Sequence, residues 1–307
     1  MNISNPTKEN IDKVLSLINQ EFVLDRGKYL HIKDRFPYLF SEANFPNIFF
    51  ISHDNLNIDA VMAVKTVSLN FDNQVFNLFF VGSQVIHPLM RSKGLGRYLF
   101  EYVTDHYLNK GFDLGVGWTR LQDYYIKTGW TPYENGIFVH CQKLKNSIQK
   151  DIPIPIDCIQ DFDNYTVIDN YRISKCENYI VRNKTSGIEG FGTIYSPCEN
   201  SFTYAAIYDN EIIGYICGAT VNDKAIIYEF VLNDLAIFPE LVKHLCKERN
   251  IASLFVNTVE KYPHEIDVLS FFETSIIEKP SLSIYRFNNI EVFDKIKNFY
   301  IPFTDRI

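Results

Sequence analysis

Three strand-like segments in a row, ending in a glycine-rich and cation-rich junction with a helix, constrain the fold of this chain more than any other feature. The segments are NIFFIS (47–52), DAVMAVKTVSLNF (59–71) and QVFNLFFVGSQVI (74–86), and the turns between them, HDNLN and FDNQ, have hairpin composition. The junction IHPLMRSKGLGRYL (86–99) follows, and after it the apolar spacing becomes helical. Because hairpins build antiparallel sheets, we expect an α+β domain with one helical crossover.

The chain repeats this order of elements once. In the first half we expect helices over 6–22 and 28–41 before the three strands, and then helix, strand, helix and strand after the junction, up to residue 144. The second half has a hairpin at 202–220 and a strand at 224–233, followed by helix, strand, helix and strand at 235–250, 251–258, 265–275 and 281–287. Between the halves, Pro153 and Pro155 oppose a helix or a central strand, so we interpret 143–165 as a linker. We therefore predict two domains, 1–148 and 149–307.

Composition and charge exclude several classes of protein. The chain has 307 residues, of which 46% are hydrophobic and 22% charged, so it can bury a core. Its net charge is −7 and it has no long run of Lys or Arg, so we expect no nucleic-acid partner. No apolar stretch reaches roughly 18 residues, and the N-terminal segment lacks a signal-peptide core, so we expect a soluble cytoplasmic protein without a membrane partner. The six cysteines form no C-x-x-C pair, and we expect reduced thiols and no metal site.

The junction has the chemistry of an anion site. The first N–H groups of a helix are unpaired and carry a partial positive charge, and glycines such as Gly94 and Gly96 let a ligand approach the backbone closely. Arg91, Lys93 and Arg97 add the positive charge that phosphate groups use. The third glycine of a dinucleotide fingerprint is missing, and no Walker loop is present. The residues alone thus predict either a diphosphate cradle or an ordinary turn before a surface helix with solvated cations.

Two motifs together resemble those of the GNAT superfamily of acyl-CoA-dependent N-acyltransferases. VIHPLMRSKGLGRYLFEYV resembles motif A, and DYYIKTGW, one helix and one strand further on, resembles motif B. The resemblance covers residues 5–145, and the second half only by its order of elements, because NDLAIFPE has neither the glycines nor the cations of HPLMRSKGLG. It implies a GNAT fold, which is a mixed and mostly antiparallel sheet flanked by helices, in two tandem domains of which the second is degenerate.

The resemblance also implies the site residues. In the family, the coenzyme A diphosphate binds main-chain N–H groups of motif A, which here comprises Arg91, Ser92, Lys93, Gly94, Leu95, Gly96 and Arg97. The pantetheine arm would lie along the backbone of the preceding strand from Ser83 to Ile86, and the side chains of Val85 and Ile86 are expected to fill the core. Tyr125 matches the motif B tyrosine that protonates the departing thiolate in many relatives. The alternative for Tyr125 is a structural ring stacked on Trp130 or Tyr124.

A general base is not evident from the sequence. Relatives often carry a glutamate on the strand before motif A, but NLFFVGSQVI contains no carboxylate. His87, Asp123 and a chain of waters remain candidates, although His87 is at the outer end of its strand and Asp123 is better placed to cap the motif B helix. The family's asparagine before motif B is also absent from GWTRLQDYY, where Trp118 and Arg120 would wall the region.

These observations predict an N-acetyltransferase that moves the acetyl group of acetyl-CoA to a primary amine by direct attack in a ternary complex. The acceptor would be a small molecule or a peptide, and no metal would take part. A longer acyl-CoA is the alternative donor. A non-catalytic acyl-CoA-binding protein, with the second half as an interaction surface, is the alternative from another functional class. The sequence determines neither the acceptor nor the oligomeric state.

Overall fold

The computed structural model describes residues 2–27, 31–54, 57–119, 121–133, 137–145, 154–158, 162–182, 201–258, 267–278, 282–299 and 301. The α-helices are α1 (Ile11–Phe22), α2 (Ile32–Arg35), α3 (Leu95–Asn109), α4 (Gln122–Ile126), α5 (Phe162–Lys175), α6 (Ile237–Arg249) and α7 (Ile290–Ile296). The strands of the first half are β1 (Asn2–Ser4), β2 (Ile48–Ser52), β3 (Ala60–Phe71), β4 (Gln74–Ile86), β5 (Leu114–Thr119), β6 (Thr131–Tyr133) and β7 (Ile137–Leu144). The later strands are β8 (Ile156–Cys158), β9 (Tyr179–Val181), β10 (Ser201–Tyr208), β11 (Glu211–Val221), β12 (Lys224–Leu232), β13 (Ser253–Thr258), β14 (Phe272–Glu278) and β15 (Leu282–Phe287). No helix of the described part is long and apolar enough to cross a membrane.

The strands form two sheets of the same design. The first has the order β1-β2-β3-β4-β5-β15-β6, with β9 added beside β3, and the second has the order β14-β7-β13-β12-β11-β10-β8. In each sheet one neighbouring pair is parallel, β4 with β5 and β12 with β13, and the described neighbours are otherwise antiparallel. Helix α3 connects the first parallel pair and α6 connects the second, as parallel strands require. The predicted α+β fold class and its internal repeat are confirmed.

Each half of the chain contributes one or more strands to the sheet of the other half, and β9 beside β3 is one of them. Strand β7 belongs to the first half of the chain but lies between β13 and β14 in the second sheet. Strand β15 belongs to the second half but lies between β5 and β6 in the first sheet. Neither sheet is therefore built from residues 1–148 or 149–307 alone. The predicted boundary itself falls outside the described residues.

Some predicted elements differ in the structure. The first helix begins at Ile11 and not at residue 6, because the Asn5 side chain donates to the carbonyls of Pro46 and Ile48 beside the neighbouring strands. The helix predicted over 28–41 is the single turn α2 between 3₁₀ turns. The helix predicted over 265–275 is wrong, because residues from Phe272 onward pair with β7 of the other half. The predicted linker contains an edge strand, β8.

Side-chain packing fixes the first sheet between two layers. Helix α3 covers one face, where Phe79, Val103 and Trp130 are buried together with Ile284 of β15. Helices α1 and α2 cover part of the opposite face, and an aromatic cluster that includes residues of β15 and α7 covers the rest. A separate core lies under α6 in the second sheet. The second half thus supplies part of the core around the first sheet.

Candidate active site

The first sheet opens between its two parallel strands. Pairing of β4 with β5 runs from Leu78 and Leu114 to Val81 and Gly117 and then stops, although β4 continues to Ile86. A β-bulge lies just beyond this point, because β4 has one more residue than β3 between their shared pairs and Ser83 is left-handed with φ 49°. The bulge bends β4 and leaves a gap beside β5.

The backbone of Ile86 faces this opening. The N–H of His87 donates to the carbonyl of Asp59 across the sheet at 2.8 Å, and backbone groups alternate in direction along an antiparallel ladder. The Ile86 carbonyl accordingly points away from β3, where it accepts from Arg91 Nε at 3.2 Å. The side chain of Val85 is 4% exposed in the core, and that of Ile86 packs against the α3 layer, so both side chains serve packing as expected.

Past Ile86, the chain enters the segment for which a cradle was predicted, at the start of α3. A 3₁₀ turn ends at Met90, Ser92 and Gly94 are left-handed (φ 62° and 81°), and α3 starts at Leu95 without a side-chain cap. Left-handed residues in such a turn direct successive N–H groups to one side. The first N–H groups of α3 are therefore available to an anion.

Glycine is needed at both Gly94 and Gly96 of the cradle, but for different physical reasons. A Cβ on Gly94 would contact nothing within 4 Å, so a glycine is needed there for its positive φ. A Cβ on Gly96 would lie 3.2 Å from Tyr124 Oη and 3.3 Å from Ile86 Cγ1, so a glycine is needed there for space. Gly96 thus lets α4 approach the start of α3.

The cationic side chains around the cradle differ in whether they form an ion pair with an acidic residue. Arg91 folds back on the end of β4 and forms an ion pair with Glu21 of α1. Arg97 Nε bonds Glu101 Oε1 one turn further along α3, at 2.8 Å. Lys93 is exposed, and its only described contact is with the Met90 sulfur. Among the described residues, Lys93 is therefore the cradle cation without an acidic neighbour.

Tyr125 lies at the mouth of the opening, on α4. Its ring packs edge-on against Phe100 at 4.8 Å and against Tyr124 at 4.9 Å between centroids, and Phe100 separates it from Trp130. Burial raises the pKa of Tyr125 to about 12. The phenol is therefore protonated at neutral pH. It donates to Gln84 Oε1 at 3.3 Å, and a second side-chain hydrogen bond, with Thr119 of β5, lowers its pKa less than burial raises it.

Gln84 is a site residue that the sequence analysis missed. Its Nε2 donates to the Gly96 carbonyl at 2.7 Å, while its Oε1 accepts from Tyr125. The signal in the sequence was an amide side chain near the end of the strand, in the run LFFVGSQVI that contains no other amide. Burial raises the pKa of the neighbouring Tyr124, and a side-chain hydrogen bond between Tyr124 and the same Gln84 amide lowers it less strongly.

Of the two candidate bases, His87 has a structural role and Asp123 has none that the described contacts show. His87 Nδ1 accepts from the Leu89 N–H at 3.4 Å and caps the 3₁₀ turn. Asp123 is exposed in the first turn of α4, whose N-cap position is Leu121 with no side-chain hydrogen bond, so the expectation that Asp123 caps this helix is wrong. Trp118 packs edge-on against Phe80, and Arg120 lies outside the described residues.

The second half contributes directly to the motif B turn. Arg286 of β15 donates through Nη1 to the Gly129 carbonyl at 2.7 Å. A Cβ on Gly129, which has φ 81°, would collide with the same guanidinium nitrogen at 2.7 Å. The turn that follows Tyr125 is therefore held by a residue from the other half of the chain.

The equivalent junction of the second sheet is closed to anions. Between β12 and α6, the Asp234 carboxylate accepts from the Ala236 N–H at 2.9 Å and occupies the entrance to the helix. Pro239 removes one N–H group from the first turn of α6. A negative side chain thus lies where the first sheet has its cradle. Within the described residues, no cluster of His, Cys, Asp or Glu could hold a metal ion in either half.

Solved structures with the same arrangement of elements cover nearly the whole chain. A GCN5-related N-acetyltransferase from Kribbella flavida matches 95% of this chain and 72% of its own at TM-score 0.67 and 11% identity. One from Anabaena variabilis matches 94% of this chain and 73% of its own at TM-score 0.70 and 13% identity. An N-myristoyltransferase from Saccharomyces cerevisiae, solved with bound myristoyl-CoA and inhibitors, matches 94% of this chain and 80% of its own at TM-score 0.57 and 13% identity. No family profile and no curated protein sequence matches the chain.

Proposed function

The chain has the fold of the GNAT superfamily, and on that basis we propose that it is an N-acyltransferase that moves an acetyl group from acetyl-CoA to a primary amine. The observation that carries the proposal is the meeting of three features at one end of the first sheet. These are the opening between β4 and β5, the uncapped start of α3, and the protonated phenol of Tyr125. The acceptor is a small molecule or a peptide.

The cradle residues fit a coenzyme A diphosphate. Main-chain N–H groups from Ser92 to Arg97 would hold the phosphates, because Ser92 and Gly94 are left-handed and no side-chain cap bonds the first N–H groups of α3. Lys93 would add a positive charge. The backbone of Ile86, which faces the opening, would pair with the pantetheine amide, while Val85 supports that strand from the core.

Tyr125 would act as the acid. In the reaction, the amine nitrogen bonds to the thioester carbonyl carbon, the carbon–sulfur bond breaks, the nitrogen loses a proton and the sulfur gains one. A phenol with a pKa of about 12 keeps its proton until a strong negative charge develops beside it. Exclusion of water raises the proton affinity of the departing thiolate as well, since burial disfavours both charged forms. The hydrogen bond from the Tyr125 hydroxyl to Gln84 is long, at 3.3 Å, and therefore weak. The hydroxyl can exchange it for a bond to the departing thiolate.

A longer acyl group is the alternative donor. The fold extends to an N-myristoyltransferase solved with myristoyl-CoA, and the wall of the opening toward Trp118 is aromatic. The alternative from another functional class is an acyl-CoA-binding protein without catalysis, which the absence of a carboxylate from β4 would favour. Thiol release measured with acetyl-CoA, longer acyl-CoAs and a panel of amines separates these cases.

The decisive variant is Tyr125→Phe, which removes the proton and keeps the ring. General acid catalysis contributes typically about 10²–10⁴-fold, so kcat should fall in that range while coenzyme A affinity is unchanged. The melting temperature should change little, because a lost hydrogen bond costs on the order of 1 kcal/mol. Tyr98→Phe is the control, since this tyrosine is exposed on α3. Turnover of Tyr125→Phe within threefold of the parent would remove Tyr125 from the mechanism, whereas no thiol release from the parent with any acyl-CoA and amine would favour the binding protein.

A further inference from the structure

Gln84 connects the two parts of the proposed site through a single side chain. On one side its Nε2 donates to the Gly96 carbonyl in the first turn of α3, at 2.7 Å. On the other side its Oε1 accepts from Tyr125, at 3.3 Å. A carbonyl can only accept, so the Gly96 oxygen fixes which end of the amide faces Tyr125.

The β-bulge places Gln84 in this position. Neighbouring side chains alternate between the faces of a strand, and Val85 fills the core on the α1 side. Gln84 therefore projects to the opposite face, where α3 and α4 lie. The extra residue of the bulge, with Ser83 in the left-handed region, sets this alternation at the point where β4 leaves β5.

The two bonds differ in strength. A separation of 2.7 Å lies at the short end of normal hydrogen bonds, whereas 3.3 Å lies beyond the usual range. The amide is consequently anchored on α3 and holds the tyrosine hydroxyl loosely. A movement of the first turn of α3 would be transmitted to the hydroxyl of Tyr125 through the rigid plane of the amide.

We propose that Gln84 is a positioning residue that couples the diphosphate cradle to Tyr125, so that a bound diphosphate fixes the hydroxyl at the opening. This rests on the proposed function, in which Tyr125 is the acid. Gln84 itself exchanges no proton with the substrate. It holds the Tyr125 hydroxyl toward the gap between β4 and β5 until the departing thiolate becomes the better acceptor.

Two substitutions separate the two ends of the amide. Gln84→Met has a similar length and neither polar group, so it should lower kcat about tenfold or more with a smaller change in the KM for acyl-CoA. Gln84→Glu can still accept from Tyr125, but it presents an oxygen to the Gly96 carbonyl and adds negative charge near the cradle. It should therefore weaken binding of coenzyme A, measured by calorimetry, more than it lowers kcat. Gln74→Met is the matched control, because this glutamine is at the far end of β4 beside Lys295, and both constants should match those of the parent.

A double-mutant cycle with Tyr125→Phe tests the coupling itself. If Gln84 acts through Tyr125, Gln84→Met should lower kcat in the parent and cause no further loss in the Tyr125→Phe background. An equal loss in both backgrounds, or kcat within threefold of the parent for Gln84→Met, would overturn the coupling and leave the proposed function standing. If Tyr125→Phe itself retains normal turnover, Tyr125 is not the acid and the coupling fails with it, whereas the proposed transfer activity stands. Calorimetric affinity of Gln84→Glu equal to that of the parent would refute the link to the cradle without any activity measurement.

Discussion

The exchange of β15 into the first sheet can be tested through the contact between Ile284 and Gly117. Ile284 is 1% exposed and pairs with Gly117 of β5. A Cβ on Gly117 would lie 3.1 Å and 3.2 Å from two carbons of the Ile284 side chain, and 2.8 Å from Val81 Cγ2. The two positions, from opposite halves of the chain, thus compete for the same space.

Each single substitution has an expected cost. Ile284→Ala leaves a cavity in a buried cluster and should lower the free energy of unfolding by about 2–5 kcal/mol. Gly117→Ala overpacks the same place and should cost about 1–3 kcal/mol. In the double variant, the new methyl group fills part of the cavity and its collision with Ile284 is gone. The free energy of unfolding lost in the double variant should therefore be smaller than the sum of the two single losses by about 0.5–3 kcal/mol.

Urea unfolding followed by tryptophan fluorescence provides the assay. Both tryptophans of the chain, Trp118 and Trp130, lie in the core of the first sheet, so the signal reports on that unit. Ile276→Ala is the control, because this isoleucine of β14 is 53% exposed, and the change should stay within about 0.5 kcal/mol. Strictly additive losses, or an Ile284→Ala loss as small as that of the control, would refute the placement of β15 beside β5.

Three further predictions concern the ligand and the pH dependence. Titration with coenzyme A should give one site per chain, because Asp234 closes the second junction, and two equivalent sites would contradict this. Gly94→Glu should abolish coenzyme A affinity in calorimetry by placing a carboxylate in the cradle, and Gly96→Glu should do so by displacing the first turn of α3 from Tyr124 and Ile86. Gly111→Glu is the control, because Gly111 has the same open space and positive φ as Gly94 but lies past the other end of α3. The pKa of Tyr125, raised by burial to about 12, contributes stability that is present below pH 10 and is lost as pH rises toward 12. The parent should lose about 2 kcal/mol of unfolding free energy from this group between pH 10 and pH 12, and urea titrations of Tyr125→Phe should show a correspondingly shallower loss.

Local structure around the cradle was predictable from the sequence, because each signal came from a few neighbouring residues. Strand β4 has the predicted bounds, since the FDNQ turn supplies Asp72 and Asn73, which adopt positive φ values (49° and 59°). The start of α3 follows from Gly94, which supplies the left-handed residue before the helix. In both cases the boundary is marked by residue types that readily adopt a positive φ, which are Asp and Asn in the turn and Gly before the helix.

Partners distant in sequence were not predictable. Alternation of apolar residues identifies β7 and β15 as strands, but it does not say which sheet receives them. Glu21 is 70 residues from Arg91, and no periodicity links the two. Ser83 has no intrinsic need for a left-handed conformation, so the bulge and the direction of Gln84 emerged only from the assembled sheet.

The exchanged strands also set an order of events during synthesis. Strands β2 to β5 can pair as they leave the ribosome, but the place beside β5 must wait for β15. Arg286, which holds the motif B turn, is 157 residues from Gly129, and at roughly 5–20 residues per second this interval lasts about 8–30 s. During that time the nascent chain exposes an open edge of β5 and its apolar neighbours, which is the kind of surface that chaperones shield. The site therefore cannot assemble before residue 287 has emerged, and a pause in translation of the second half would lengthen the exposure of the first.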